Sequence, residues 1–214
     1  MKLLEAIAKA KADSPKRNFK QSVELFVNFA NLDFNKAENK LSLEIVLPKG
    51  RGRPSKIAVI AGDELASSAK RGADTVIMGN ELEGLGKDKK RLKSVASEHG
   101  AFLSQISLMA AVGKHLGQVL GPRGKMPKPV PPNIEVRPIA ERLRNTVYLR
   151  TKGKNLPVLH VPIGTADMSD DDLEANANAV LSALRAKLPQ GDANIRNVRV
   201  KLSMGPGILA EVAG

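Results

Sequence analysis

The chain has no cysteine and no tryptophan, and its aromatic residues are five phenylalanines and one tyrosine. Without thiols it has no disulfide, no thiolate-ligated metal and no cysteine nucleophile, which suits a reducing compartment. With so few rings, the core must be largely aliphatic. No run approaches the ~20 apolar residues that span a bilayer. Residues 1–10 carry only short apolar pairs broken by Lys2, Glu5 and Lys9, not the apolar stretch of a secretory signal. A cytoplasmic protein with no membrane partner is expected. The histidines His99, His115 and His160 stand far apart, none at metal-ligand spacing, so each is expected to be an ordinary surface or turn residue and no metal or cofactor is called for. No serine lies in a nucleophile-elbow context and no acid–base pair can be assembled, so catalysis has no positive support.

What the chain does have is positive charge. Its formal net charge is +12 over 214 residues and its pI is near 10.0. Each phosphate neutralised by Lys or Arg releases condensed counterions, so nucleic acid is the natural partner. The length allows one or two domains.

Leu3, Leu4, Ile7 and Ala8 predict an amphipathic helix over residues 1–12, broken at Ser14-Pro15. Helical spacing resumes over residues 19–30 through Val23, Phe26, Val27 and Ala30, predicting a second helix. Leu41, Leu43, Ile45 and Leu47 alternate as a strand. After Pro48-Lys49-Gly50-Arg51-Gly52-Arg53-Pro54 the rhythm changes to short apolar runs at residues 57–61, 75–78 and 102–106, alternating with helix-length polar segments. That pattern is the signature of a parallel sheet with covering helices. Strands are predicted again at 146–150 and 158–161, joined by a turn at 151–155. A helix beginning at Ser169, with Asp172 three residues on, follows, and a final strand at 195–203. The terminal pieces lack enough strands to stand alone. Together they predict an antiparallel sheet of about four strands with helices on one face. The expected organisation is therefore a discontinuous domain from residues 1–52 and 145–214, interrupted by an α/β domain at 53–144. The inserted segment is the more basic, at +7 (16 basic, 9 acidic) against +4 and +1 for the flanking pieces.

Residues 113–129 hold four basic side chains, four glycines and three prolines, with no acid. Glycine lets backbone approach a ligand and proline stiffens it, so a cationic loop carrying Lys114, Arg123, Lys125 and Lys128 is expected to meet a polyanion. Four phenylalanines fall between Phe19 and Phe34. An exposed ring there would stack on a base, whereas rings at helical spacing usually face a core, the expectation for Phe26 and Phe29. Phe19, following Lys16-Arg17-Asn18, is open to either reading. Ser203-Met204-Gly205-Pro206-Gly207 reads either as an edge where RNA approaches the main chain, with the Ser203 hydroxyl as hydrogen-bond partner, or as a strand end before a frayed tail. The segment from Gly79 to Gly84 has phosphate-loop glycine spacing, but Leu85 and Gly86 stand where Lys and Ser or Thr are required. Asp170, Asp171 and Asp172 suit a helix N-terminus; a divalent-ion site is the second reading.

The run Leu120-Gly121-Pro122-Arg123-Gly124-Lys125-Met126-Pro127, preceded by Gly113-Lys114-His115-Leu116-Gly117, resembles the signature of the large-subunit ribosomal protein one family, found in the mobile stalk beside the transfer-RNA exit site. Leu47-Pro48-Lys49-Gly50 and His160-Val161-Pro162-Ile163-Gly164 match in order, so the resemblance spans the chain. Met126-Pro127-Lys128-Pro129 and the compact ends resemble the archaeal type.

The resemblance implies a first domain built from both termini and an inserted Rossmann-like, three-layer second domain. It places the main RNA site on Phe19, Glu24 of the same predicted helix, Ser203, Met204 and Gly205, with Lys152 and His160 as neighbours. The family commonly has threonine where this chain has Ser203. Residues 113–129 then become an auxiliary basic surface. The implied function is non-enzymatic: binding large-subunit ribosomal RNA near the E-site transfer RNA, assisting release of deacylated transfer RNA, and repressing translation of its own messenger RNA, as a monomer when free. Crossings at residues 50–53 and 144–145 are expected to let the domains open and close. A nonribosomal RNA-binding regulator and a phosphoryl-transfer enzyme on the α/β domain are the competing readings.

Overall fold

In the computed structural model, which describes residues 1–34, 36, 39–151 and 156–211, alternation rather than helical spacing organises the segment after Phe19. Val23, Leu25, Val27 and Phe29 are buried, while Ser22, Glu24, Phe26 and Asn28 occupy the other face of β1 (Ser22–Phe29). The helix expected over residues 19–30 is thus a strand, and Phe26 leaves the core that helical spacing assigned it. Both periods share Val23 and Val27. The strand adds Leu25 and Phe29 to the core, each worth about 1.5–3 kcal/mol of burial, and gains a hydrogen-bonded neighbour on each side.

Those neighbours are β8 (Val158–Thr165) and β9 (Ile195–Leu202), both antiparallel to β1. β10 (Ile208–Ala210) pairs with β9, giving the order β10-β9-β1-β8. A four-stranded antiparallel sheet is therefore present, with different members from those expected. β2 (Ser42–Val46) and β7 (Thr146–Arg150) form a separate two-stranded ribbon, and β1 and β10 take their places. Residues 208–210 are not frayed, since Ile208 opposes Val200 and Ala210 is buried.

One face of this sheet is covered by α1 (Leu3–Ala12) and α7 (Asp170–Lys187), whose buried stripes join the strand residues in one cluster. The Ser169 hydroxyl caps α7 by accepting the Asp172 N–H at 3.2 Å. The carboxylates of Asp170 and Asp172 are engaged by Lys11 and Lys49, which together with the helix N-terminus accounts for the acidic triplet. Asn176, fully buried in α7, donates to the Gly50 and Ile163 carbonyls at 2.8 Å and accepts the Lys49 N–H at 3.0 Å. It ties the chain crossing to the helix. These elements form one compact unit, Met1–Arg53 with Asn145–Gly214, and Pro54–Arg144 forms a second.

The second unit runs β3 (Lys56–Ala61), α2 (Asp63–Gly72), β4 (Thr75–Met78), α3 (Leu82–Lys87), α4 (Lys89–Glu98), β5 (His99–Gln105), α5 (Met109–Leu120), β6 (Lys128–Val130) and α6 (Val136–Arg144). The strands are all parallel, in the order β4-β3-β5-β6. β3 is buried on both sides: Ile57, Val59 and Ala61 pack with α2 and α6, Ala58 and Ile60 with α3, α4 and α5. Continuous apolar runs mark strands sandwiched in this way, and the result is a three-layer α/β unit. His99 is buried rather than on the surface, with its ring nitrogens 2.9 Å from the Val95 carbonyl and 2.8 Å from the Thr75 hydroxyl.

The segment at 113–129 is not one loop. Residues 113–120 belong to α5, which buries Val112, Leu116 and Leu120. A helical glycine costs about 1 kcal/mol relative to alanine, which the burial of those three side chains outweighs. Only the turn at 121–127 is irregular, and there Gly124 adopts φ 66°, a conformation that glycine takes readily. β6 then runs along the sheet edge, where Pro129 is tolerated.

Candidate nucleic-acid interface

With α1 and α7 on one side of the β10-β9-β1-β8 sheet, the residues that alternate with the core line the other. Register places Phe26 of β1 between His160 of β8 and Arg199 of β9. The Phe26 and His160 rings stack with centroids 4.1 Å apart, tilted by 45°, and the Lys201 ammonium lies 5.6 Å from the Phe26 ring centre. Glu24 stands opposite Lys201, and Asn28 donates to the side-chain carbonyl of Asn197. His160 and Arg199 are exposed, and Leu209 of β10 is 53% exposed. Flat rings, cations and amide groups on one pleated surface can stack on bases, attract phosphates and hydrogen-bond base edges.

At one end of that sheet, Gln21 joins three pieces of chain. Its side chain donates to the Pro15 carbonyl at 2.8 Å and the Ser14 hydroxyl at 3.2 Å, and accepts the Met204 N–H at 3.0 Å. The Ser203 hydroxyl accepts the Ser22 N–H at 3.1 Å, while the Ser203 N–H donates to the Ser22 carbonyl at 3.0 Å. A Cβ on Gly205 would stand 3.1 Å from the Ser14 side chain, so the absence of one lets the turn pack against Ser14. The turn at 203–205 is thereby locked to the segment leading to Phe19. Phe19 and Met204 stay 52% and 53% exposed, available to a ligand.

The family model for the ribosomal protein L1p/L10e family matches residues 8–206. The chain belongs to this family. It is 45% identical over 204 residues to a Methanothermococcus thermolithotrophicus protein, covering 95% of each chain. It is 46% identical over 211 residues to one from Thermococcus kodakarensis, covering 98% of this chain and 97% of that one. It is 47% identical over 205 residues to one from Methanothermobacter thermautotrophicus, covering 95% and 96%. All three carry the name large ribosomal subunit protein uL1, and the archaeal character read in the sequence agrees with them.

For this L1p/L10e chain, the structure brings Ser203, Met204 and Gly205 against the segment that leads to Phe19. It sets Glu24 and His160 on the open sheet face. Glu24 is a strand residue, not a helical neighbour of Phe19. Lys152 lies outside the described residues. Arg199, Lys201 and Gln21 carry no linear signal of this role, and helical spacing turns Phe26 toward the core. An alternating count through 23, 25, 27 and 29 would have turned Phe26 outward.

The basic residues of 113–129 separate. Lys114 is exposed on α5 and Lys128 begins β6. Lys125 donates to the Ala96 and His99 carbonyls, each at 2.7 Å, and Arg123 to the Lys93 carbonyl at 3.3 Å and the Ser97 hydroxyl at 2.8 Å. Lys125 thus satisfies the end of α4, where carbonyls lack helical partners, while Arg123 is held along the flank of the helix. Burial first, and the like charge of Arg123 second, hold the Lys125 ammonium below its ordinary pKa.

The nucleotide-binding crevice of such parallel sheets lies where the strand order reverses, at the carboxyl ends of the central strands. Here Gln105 fills the corresponding position, its side-chain carbonyl accepting the Gly62 N–H at 2.8 Å at the start of α2. Residues 79–81 form a single helical turn before α3, with Gly79 packed on Leu108. Among the described residues no group of acids and histidines could hold a metal ion, and no helix is long and apolar enough to cross a membrane.

Proposed function

We propose that the chain is a structural protein of the large ribosomal subunit that grips its ribosomal RNA with the open face of the β10-β9-β1-β8 sheet and the adjoining 203–205 turn. One observation carries the reading most directly. In a chain of this family, an uncovered sheet face presents the Phe26–His160 stack flanked by Arg199 and Lys201. Rings supply sequence-tolerant stacking, while the cations and the 203–205 main chain supply backbone and 2′-hydroxyl contacts. On this reading Phe19 and Met204 form an apolar rim for splayed bases. Ser203 holds the rim in place through Ser22, so the threonine common in the family would serve equally well.

The same surface would serve a mimic of the ribosomal site in the chain's own messenger RNA, allowing repression of its translation. A place on the mobile stalk would put it beside the E-site transfer RNA, where its movement assists release of deacylated transfer RNA.

The test is affinity for large-subunit ribosomal RNA together with a footprint on the total ribosomal RNA. Phe26→Ala and Met204→Ala are each expected to weaken specific binding by about 1–3 kcal/mol for each base no longer stacked. Ser203→Val should weaken it and Ser203→Thr should not. The footprint should protect one stalk element. Unchanged affinity in the folded Phe26, Met204 and Ser203→Val variants would reject the site.

A further inference from the structure

Helix α4 carries its charge in the reverse sense to other helices of the protein. α2 opens on Asp63 and Glu64 and closes on Lys70 and Arg71; α7 opens on three aspartates and closes on Arg185 and Lys187. α4 opens on Lys89, Lys90, Arg91 and Lys93, and has no basic residue in its last turn. The positive end of the helix dipole disfavours cations, and like charges at i,i+4, as in Lys89 and Lys93, repel. The helix therefore forms despite this cluster. What starts it is Asp88, which accepts the N–H groups of Lys90 and Arg91 at 3.1 and 3.0 Å.

All four cations are exposed, and none has a carboxylate partner among the described residues. A fifth is fixed beside them. The Arg123 guanidinium, bonded to the Lys93 carbonyl and the Ser97 hydroxyl, is held against the flank of α4 yet remains exposed. Leu92, the one apolar side chain within 89–93, is buried in the core with Ala96, which orients the helix. The cluster so oriented offers no aromatic platform for a base and no apolar side chain to enter a lipid bilayer. It offers closely spaced cations with the exposed hydroxyl-bearing Ser94 beside them, which match a run of phosphates.

We infer that the amino-terminal turn of α4, together with Arg123, is a second RNA-contacting surface: a sequence-independent stripe that binds phosphate backbone on the unit Pro54–Arg144. It rests on the reading that the protein is RNA-binding and differs from the sheet face in kind. The sheet face combines ring stacking with cations, whereas this stripe has cations alone and adds affinity and encounter rate that fall with salt.

The experiment uses the full chain and a short RNA duplex of arbitrary sequence, titrated across a salt series. The triple variant Lys89→Gln, Lys90→Gln, Lys93→Gln should lower the slope of log affinity against log salt by roughly 2 to 3, about one for each phosphate no longer neutralised. A control that removes three dispersed exposed lysines, Lys9→Gln, Lys70→Gln and Lys187→Gln, should change the slope much less. The triple variant should keep the ribosomal-RNA footprint expected of the sheet face, so failure of the sheet-face site and failure of this stripe are separately visible. The triple variant should melt at the same or a higher temperature than the parent, because the removed charges oppose the helix dipole. Equal slopes for triple variant and control would overturn the proposal, as would a lowered melting temperature with unchanged binding. So would loss of binding to phosphatidylserine vesicles while duplex binding persists, since that result would assign the stripe to a membrane surface.

Discussion

Replacing Lys125 by methionine separates a structural role for the signature segment from a role in gripping RNA. The methionine keeps most of the aliphatic stem but removes two bonds of 2.7 Å from the ammonium to the Ala96 and His99 carbonyls. A hydrogen bond involving a charged group is worth about 1.5–3 kcal/mol net. Two effects reduce the sum: the half-buried site lets water reach part of the freed carbonyls, and the folded state no longer has to hold a desolvated cation, whose pKa burial lowers. The expected loss is about 2 kcal/mol. For a unit the size of Pro54–Arg144, each kcal/mol moves the melting midpoint by roughly 4–8 °C. Differential scanning calorimetry of the full chain should therefore show a transition lowered by about 10 °C. Hydrogen exchange should accelerate at the amides near the end of α4. Specific RNA affinity at low temperature should fall less than in Ser203→Val. An unchanged midpoint together with an affinity loss larger than that of Ser203→Val would refute this reasoning and make the segment a principal RNA contact.

Other perturbations follow from single positions. Gly52 has φ 69°, and a Cβ there would overlap the Thr165 hydroxyl; Gly52→Ala should cost at least about 2 kcal/mol by combining backbone strain with a clash, measured by urea unfolding. Asn176→Leu removes the partners of the Lys49 N–H and the Gly50 and Ile163 carbonyls. A loss of about 2–5 kcal/mol is expected, and a stable variant would show that water replaces the amide. Burial raises the pKa of Asp74, but the Ile57 N–H at 2.8 Å and the Arg144 guanidinium at 3.0 Å outweigh it and hold the carboxyl below its ordinary value. A depressed folded pKa stabilises above the unfolded value of about 3.9 and is lost as pH falls through the folded one. Asp74→Asn should thus cost about 1–2 kcal/mol at neutral pH, and equal stability of variant and parent at neutral pH would count against the pairing.

Elements whose periodicity admits one reading were legible. The α7 stripe from Leu173 to Leu184, with its Ser169 cap, and the continuous apolar runs of β3 and β5 agree with the structure because cap chemistry and burial on both faces are local facts. β1 was not legible, because Val23 and Val27 belong to the helical period and the strand period alike. Leu25 and Phe29 decide between them only once β8 and β9 supply the neighbours. β10 is too short to signal itself. Lys125 and Arg123 look like ligands for a polyanion in any linear reading, since nothing nearby in sequence shows that the α4 carbonyls are within reach.

By itself the amino-acid sequence determined the chemical character of this protein: an aliphatic, thiol-free, strongly basic chain whose 113–129 signature resembles one family, with parallel and antiparallel segments of distinguishable rhythm. These properties are additive over residues or local to a turn of helix or a few residues of strand. Tertiary structure alone decided which side chains share a surface. It stacked Phe26 on His160, bound the 203–205 turn to the approach of Phe19 through Gln21, and tied two signature cations to α4, Lys125 at its end and Arg123 along its flank, while leaving the helix's own cations open to solvent. Such pairings join residues far apart in sequence, and their energies exist only once the strands and helices between them have packed.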